Sequence, residues 1–473
     1  MLLITILQLG LLFFHLLAWC AVVHILLTKR DPRSAFGWTA VLLLVPVLGL
    51  FLYVLFGISR TQSRAAAIMR RHAALLPSYA HPQLADIPPS LPVFLTHMEH
   101  LGRSLTRQHL SPGNSIEPLF NGNEAYPCML EAIEQAQEHV LLVTYIFNDG
   151  RIARRFCDAL IAAARRGVDV RVLVDGVGRF YTLNSPLSRL AGHGVRVATF
   201  LPPSLVPPNL MINLRNHRKI LVCDDVGFTG GMNIADYHVV ETGEKNAAQD
   251  IQFRCTGPVV LELYRAFLLD WGVATQQYDK MLPVLRPRQH GSCFCRIVLD
   301  GPGTGSDPLN DLIAGSISNA VSSVTIMTPY FLPTREIMAV LRIAAEKGVQ
   351  VRIILPAKNN LIYVHWASLR VMPDLLQSGV RIFFQPPPFA HTKLLCIDNY
   401  YCQIGSANYD SRSLRLNFEL NTEVFDMDFN TKMTTFCESV LAKSRELHLS
   451  ELENMSLPAK LRSAIFWLFS PYL

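Results

Sequence analysis

Charged side chains are scarce in this chain. Asp, Glu, Lys and Arg make up 17% of the 473 residues, and half of all residues are hydrophobic. Soluble domains usually carry about a quarter charged residues, so the shortage favours a membrane component. The net charge of +6 fits an anionic partner but does not choose between nucleic acid and anionic lipid.

Patterned cysteines and dense basic stripes are also missing. The ten cysteines include no C-x-x-C pair and no Cys/His spacing typical of a metal site. Cys223 and Cys396 lie in apolar runs, where small buried side chains are expected, and a reducing compartment is the simpler interpretation. A nuclease would more plausibly show aromatic residues interleaved with basic stripes, and we expect no nucleic-acid partner.

Two long segments, residues 1–28 and 34–59, contain no Asp, Glu, Lys or Arg. A helix that spans a bilayer needs roughly 20 residues, so we predict a transmembrane hairpin within residues 1–60. Two buried core helices of a soluble domain are the alternative. The first segment lacks a basic start and a second apolar segment follows it, which argues against a cleaved signal peptide.

Basic residues do not decide how this hairpin is oriented, because they lie both in its turn and after its second segment. The free cysteines favour a cytoplasmic catalytic body. Residues 61–115 are predicted to be a linker with several prolines, in which residues 93–105 are amphipathic enough for a short helix.

The rest of the chain repeats one order of elements. A strand at 140–147, a helix at 152–166 and a strand at 167–174 are predicted in the first half, and 324–330, 336–347 and 348–355 follow the same order in the second. Such repetition indicates duplication. We therefore predict an α/β fold of two repeats, residues 116–285 and 286–473, packed about a pseudo-twofold axis, each a mixed sheet flanked by helices.

The second repeat contains His391 and Lys393 in an H-x-K pattern, followed by Asp398 and then by Gly405 to Asn408 in a G-S-x-N pattern. Residues 394–397 are apolar and predict a buried strand. Because residues i and i+2 of a strand share a face, His391 and Lys393 are expected to point the same way.

The first repeat contains the same pattern in His217, Lys219 and Asp224, followed by Gly230 to Asn233. Here the glycines come one residue sooner after the aspartate, and Gly231 stands where the other copy has Ser406. The first repeat therefore lacks a serine hydroxyl at this position, and whether such a hydroxyl contributes in this half stays open. Its histidine and lysine are both present.

Neither copy alone has an acid, a base and a nucleophile. If the two copies face each other, one histidine can attack phosphorus while the other protonates the leaving alkoxide and then deprotonates the incoming alcohol. We assign His217 as nucleophile and His391 as acid and base, although the motif is symmetric. Charge on the phosphate oxygens would be stabilised without a metal or other cofactor by Lys219, Lys393, Asn233, Asn408 and Ser406.

These paired motifs resemble the duplicated HKD motif of the phospholipase D superfamily. Other segments extend the resemblance to the bacterial cardiolipin synthases over nearly the whole chain: R-D-P-R-S-A-F-G-W at 30–38, N-G-N-E-A at 121–125, T-P-Y-F-L-P at 328–333 and S-R-S-L-R-L-N-F-E at 411–419. The resemblance implies transfer of a phosphatidyl group from one phosphatidylglycerol to the hydroxyl of a second, with release of glycerol, at the bacterial inner membrane.

The resemblance also implies a carboxylate that contacts each histidine. Asp250 and Glu419, each about thirty residues after a motif histidine, are the candidates, and exposed charges at strand ends are the alternative. Asp224 and Asp398 belong to the catalytic motif, but we expect them to have a structural role, pairing with nearby backbone or basic groups.

Two other functions stay open. A membrane-tethered hydrolase of the phospholipase D type would use water as acceptor and release phosphatidic acid. A non-catalytic lipid-binding membrane protein would leave the paired His, Lys and Asn residues unexplained. The apolar tail at 460–469 could lie on the membrane surface or pack against the body.

Overall fold

The computed structural model describes residues 2–29, 31–57, 93–181, 186–202, 204–205, 208–209, 214–240, 246–277, 290–301 and 307–471. The chain forms two compact units, Met1–Arg64 and Ala65–Leu473. The predicted linker is described only from Val93, and the part of it before that residue lies outside the described residues. At Val93 an observed helix, α4, begins and runs to Thr106.

The first unit consists of helices α1 (Leu2–Thr28), α2 (Pro32–Leu44) and α3 (Pro46–Leu52), followed by a π-helical turn at Tyr53–Gly57. Asp31 caps α2 by accepting a hydrogen bond from the Arg33 N–H. The predicted second span is not continuous. Pro46 disfavours helical backbone at Val45, where α2 ends with φ −137°. Among the described residues, only Gln8–Thr28 is a helix long and apolar enough to cross a bilayer.

The second unit contains the duplicated α/β body, which confirms the predicted fold class. The strands of its first half, in chain order, are β1 (Ser111–Phe120), β2 (His139–Thr144), β3 (Asp169–Asp175), β4 (Arg196–Phe200), β5 (Ser204–Leu205), β6 (Pro208–Asn209), β7 (Ile220–Cys223), β8 (Val226–Gly230), β9 (Ala248–Gln249) and β10 (Ile251–Thr256). Those of the second half are β11 (Cys293–Asp300), β12 (Ser323–Met327), β13 (Phe331–Leu332), β14 (Gln350–Pro356), β15 (Arg381–Gln385), β16 (Phe389–Ala390), β17 (Leu394–Ile397), β18 (Tyr401–Gly405), β19 (Tyr409–Asp410), β20 (Glu419–Phe425) and β21 (Arg445–Leu447).

One 15-stranded sheet runs through both halves. The halves meet where β1 pairs antiparallel with β11, at Ser111 opposite Cys295 and Asn114 opposite Cys293. Outward from this joint the first half runs β1-β10-β8-β7-β2-β3-β4, and the second runs β11-β20-β18-β17-β12-β14-β15 with β21 at the edge. The order is the same in both halves, as expected for a duplication.

Helices cover this sheet. In chain order they are α5 (Asn121–Gln135), α6 (Arg151–Arg165), α7 (Pro186–Leu190), α8 (Val259–Thr275), α9 (Pro308–Ser318), α10 (Arg335–Glu346), α11 (Ile362–Leu369), α12 (Met372–Gln377), α13 (Ser411–Arg415), α14 (Met427–Leu441), α15 (Leu449–Glu453) and α16 (Leu457–Leu468). One hydrophobic cluster crosses the joint and contains Phe253 and Phe267 from the first half with Cys295 and Leu420 from the second. The two halves therefore share a core.

Both motif histidines lie just before their strands, because β7 begins at Ile220 and β17 at Leu394. In these extended segments each histidine pairs with backbone of the other half. The His217 N–H donates to the Phe418 carbonyl over 2.9 Å, and the His391 N–H donates to the Gln249 carbonyl over 2.7 Å. Phe418 and Gln249 each precede a candidate carboxylate. The backbone thus brings the histidine of one half beside the carboxylate of the other.

Candidate active site

Each motif histidine is hydrogen-bonded to a carboxylate from the opposite half. His217 Nδ1 lies 3.0 Å from Glu419 Oε2, and His391 Nδ1 lies 2.8 Å from Asp250 Oδ2. An ionised carboxylate can only accept, so each Nδ1 carries the proton and each Nε2 keeps a free lone pair. This is the form in which imidazole can act as a nucleophile or a base.

The two histidines line one cavity of about 800 Å³. Asn233 and Asn408 also line it, as do Tyr145 and Tyr330. Both histidines come from a single chain, and residues of both halves form the wall. The structure therefore brings the predicted histidines and asparagines of the two motifs to one place.

The two motif lysines lie beneath the cavity wall and are nearly inaccessible to solvent. Lys219 Nζ donates to the His217 carbonyl over 2.6 Å, and Lys393 Nζ makes the equivalent bond to the His391 carbonyl. Burial lowers the pKa of Lys219 to about 7 and that of Lys393 to about 8, although Glu419 and Asp250 oppose this. A bound phosphate would favour the charged lysines.

Burial also lowers the pKa of both histidines. At His391, Lys393 adds to the effect of burial and the pKa falls to about 3. At His217, Glu419 is the main opposing influence on a pKa that is still lowered. The hydrogen bond from His391 and the charge of Lys393 overcome burial and hold the pKa of Asp250 at about 2. Neutral imidazoles beside ionised carboxylates are therefore the state favoured at neutral pH.

Hydrogen bonds to neighbouring residues fix the side chains of the two motif asparagines. The Ile146 N–H donates to Asn233 Oδ1 over 3.2 Å, and Asn233 Nδ2 lies 3.4 Å from the Tyr237 hydroxyl. Asn408 Nδ2 donates to Ser413 Oγ over 3.2 Å, while its buried Oδ1 has no hydrogen-bond partner among the described residues. Asn408 is therefore held at the wall by its amide nitrogen.

Ser406, predicted as a phosphate ligand, contacts the carboxylate partner of His217. Its hydroxyl donates to Glu419, and it is not among the residues that line the cavity. In the first half, a Cβ on Gly231 would lie 2.5 Å from Asp250 Oδ2. The difference between the two motifs therefore lies beside the two carboxylates: the longer Glu419 receives a serine hydroxyl, and the shorter Asp250 lies against a glycine.

The motif aspartates lie at the far ends of β7 and β17 and are not part of the cavity. Asp224 accepts the backbone N–H groups of Gln137, Glu138 and His139, and Asp398 accepts those of residues 321–323. Both have a positive φ, near 50°. Both carboxylates, predicted among the catalytic motif residues, satisfy backbone N–H donors at the start of the neighbouring strand. The expected structural role agrees with this placement.

Several residues at the site were missed by reasoning from the motifs alone. Tyr145 follows β2 and Tyr330 follows β12, so an alignment of the two repeats would have brought this pair to notice. Arg218, the middle residue of its H-x-K motif, is fully buried. It donates to the Glu419 carbonyl over 3.0 Å and pairs with Asp270 at 2.5 Å. No pattern in the sequence predicts these contacts.

A duplicated α/β body with two H-x-K motifs at one cavity is the architecture of the phospholipase D superfamily. The family model described as "Cardiolipin synthase, PLD-like domain" matches residues 129–254 and 313–441, and one described as "Phospholipase_D-nuclease N-terminal" matches residues 16–57. Among solved structures, a phosphatidylserine synthase from Haemophilus influenzae has the same fold, with a TM-score of 0.64 and 16% identity over 80% of this chain and 100% of that one.

Curated relatives match almost end to end. The major cardiolipin synthase of Bacillus subtilis is 30% identical, with 98% of each chain covered. Cardiolipin synthase A of Pseudomonas fluorescens is 31% identical, with 97% of each chain covered. The chain belongs to the cardiolipin synthase family of the phospholipase D superfamily.

We predict that Glu419→Gln and Asp250→Asn each reduce kcat by about 100-fold or more, because an amide does not hold the histidine in the required tautomer as a carboxylate does. Initial rates at saturating substrate, with circular dichroism to verify folding, measure this. Asp398→Asn is the matched control: it should lower the melting temperature but leave kcat of the folded enzyme within about threefold. Equal losses of kcat in all three variants would contradict the orienting role of Asp250 and Glu419.

Proposed function

We propose that the protein synthesises cardiolipin by transferring a phosphatidyl group from one phosphatidylglycerol to the hydroxyl of another. The main support is the crosswise pairing of two histidines with two carboxylates at one cavity. Each histidine keeps a free Nε2, so the site offers one group to attack phosphorus and a second to move a proton. The names of the relatives agree with this reaction.

The proposed reaction has two displacements. In the first, one histidine takes up a proton on Nε2 from water as the anionic phosphate binds. Nε2 of the other histidine then attacks phosphorus, the bond from phosphorus to the glycerol oxygen breaks, and the protonated histidine gives that oxygen its proton. In the second, the hydroxyl of another phosphatidylglycerol gives a proton to the same acid–base histidine and attacks phosphorus, and the P–N bond breaks. The lysines and asparagines stabilise the non-bridging oxygens throughout.

The assignment of the two roles is a further part of the proposal. The sequence prediction assigns His217 as the nucleophile, although the two motifs are symmetric. Both histidines have a lowered pKa, so either can be the neutral nucleophile, and the pKa values do not choose between them. We therefore propose a covalent histidine intermediate on one of these two residues, and the position of the trapped phosphatidyl group distinguishes them.

We also propose that the chain resides in the bacterial inner membrane, with α1 as one leg of a hairpin and α2 and α3 as the other. Many outward side chains of this unit are apolar. The exposed ones include Leu12, Phe13 and Leu16 on α1, Leu44 on α2, and Leu48 and Phe51 on α3. Such a surface is suited to lipid and not to water. The body from residue 116 onward is proposed to be cytoplasmic, in two repeats that divide near residue 285.

We predict that the purified chain makes cardiolipin and free glycerol from phosphatidylglycerol alone, in the presence of EDTA and without nucleotide. The buried lysines and the asparagines supply the stabilisation that a metal would otherwise provide. Mass spectrometry of the lipid products and enzymatic assay of glycerol measure this, with His391→Ala as the inactive control. Phosphatidic acid as the sole product would identify a hydrolase, and dependence on CDP-diacylglycerol would contradict the mechanism.

A further prediction concerns the pH dependence of turnover. Because the pKa values of Lys219 and Lys393 lie at about 7 and about 8, their charges are present below these values and are lost as pH rises through them. We expect kcat/KM for phosphatidylglycerol to be highest near pH 6 and to fall above about pH 7 to 8, since kcat/KM reports the free enzyme. A kcat/KM that stays constant to pH 10 would contradict the proposed role of the lysines.

A further inference from the structure

The exposed apolar side chains of the second unit are concentrated on two helices. On α16 and just after it, Leu457, Leu461, Ile465, Trp467, Leu468 and Phe469 are between 40% and 68% exposed. On α11, Ile362 is 49% and Tyr363 36% exposed. The other exposed large apolar residues described after Val93 lie apart from one another: Val321 in the connection before β12, Ile343 on α10 and Met427 on α14.

Helix α16 has two distinct faces. Its inner face packs on α11: the Phe466 ring lies 5.2 Å from that of Trp366 and 6.5 Å from that of Tyr363, centroid to centroid. Its outer face presents Leu457, Leu461, Ile465 and Leu468, spaced at helical intervals of four, four and three residues. The helix is therefore anchored to the body and still displays a continuous apolar stripe.

This surface is continuous with the active site. Leu361 and Tyr363 line the cavity that contains the two histidines, and Ile362 between them is exposed. Contiguous exposed apolar surface of this kind usually marks a contact with a membrane or a protein.

Charge favours a membrane among these partners. The two segments that carry the surface, residues 356–373 and 454–473, contain no Asp or Glu but include Lys358, Arg370, Lys460 and Arg462. The Arg370 guanidinium lies 5.8 Å from the Trp467 ring centre, and that of Arg462 lies 4.3 Å from the Trp366 ring centre. Basic side chains beside Trp and Tyr are typical of the boundary between an anionic lipid surface and water.

We propose that the outer face of α16, together with the start of α11, inserts into the surface of an anionic bilayer and sets the mouth of the cavity against the lipid headgroups. The inference rests on the proposed function, which makes the substrate a membrane lipid. It also explains how a buried site can take both substrates from the bilayer: a headgroup would pass beside Tyr363 while its acyl chains stay in the membrane.

Photocrosslinking tests the contact without reference to catalysis. The full chain, with a photoreactive benzophenone side chain at position 461 or 465, is reconstituted into vesicles of radiolabelled phosphatidylglycerol and phosphatidylethanolamine. The control carries the same group at position 343, which is also exposed and apolar but lies on α10. We expect lipid labelling at 461 and 465 to exceed that at 343 by about tenfold, since only the first two would be immersed. Equal labelling at all three, or crosslinks from 461 to a second copy of the chain, would overturn the proposal.

Turnover gives a second measurement. The double variant Leu461→Ser/Ile465→Ser should lose about tenfold in initial rate on vesicles but stay within about twofold in detergent micelles, because the loss of apolar side chains weakens insertion and leaves the site intact. Ile343→Ser is the control and should match the parent in both. Equal rates of the double variant and the parent on vesicles would contradict the proposal. If the parent makes no cardiolipin, the proposed function fails, and the crosslinking still decides the contact.

Discussion

The crosswise exchange of hydrogen bonds between the two halves is the constraint on which the site depends. The histidine of each half is oriented by the carboxylate of the other, and the backbone beside each histidine pairs with the backbone beside that carboxylate. A half taken alone would have a histidine without a partner on Nδ1, and its carboxylate would keep only donors of its own half, such as Ser406 for Glu419 and the Ile251 N–H for Asp250. Because an unpaired buried charge is costly, the arrangement is expected to stabilise the joint as well as the catalytic tautomers.

Charge balance explains why this cluster can be buried. Two lysines and two carboxylates lie close together with two neutral histidines, so no ionised group lacks an opposite charge nearby. Arg218 adds a further buried ion pair beside this cluster. It pairs with Asp270 and donates a hydrogen bond to the backbone carbonyl of Glu419. Removing one member of such a buried pair typically costs about 3–5 kcal/mol, so variants of Arg218 are expected to affect folding before they affect chemistry.

Much of this arrangement follows from the sequence. The repeated order of strands and helices predicted the elements to within a few residues, and the spacing of the motifs predicted which histidines and asparagines meet. The choice of carboxylate partner was not predictable, because it depends on contacts between residues about 140 and 200 positions apart. The hydrogen bond from Ser406 to Glu419, 13 positions further along the chain, was also not predicted. The break at Val45 could have been predicted, since a proline follows it.

The central claim is that two motifs make one site and form one covalent intermediate. Rapid quenching of the full chain with alkaline detergent, in which a P–N bond survives, during turnover of phosphatidylglycerol labelled at phosphorus, followed by peptide mass spectrometry at neutral or alkaline pH, tests it directly. The account predicts at most one phosphatidyl group per chain, on His217 or His391 and never on both, and none when the labelled histidine is replaced by alanine. Two phosphatidyl groups per chain would mean that each half acts alone and would contradict the account.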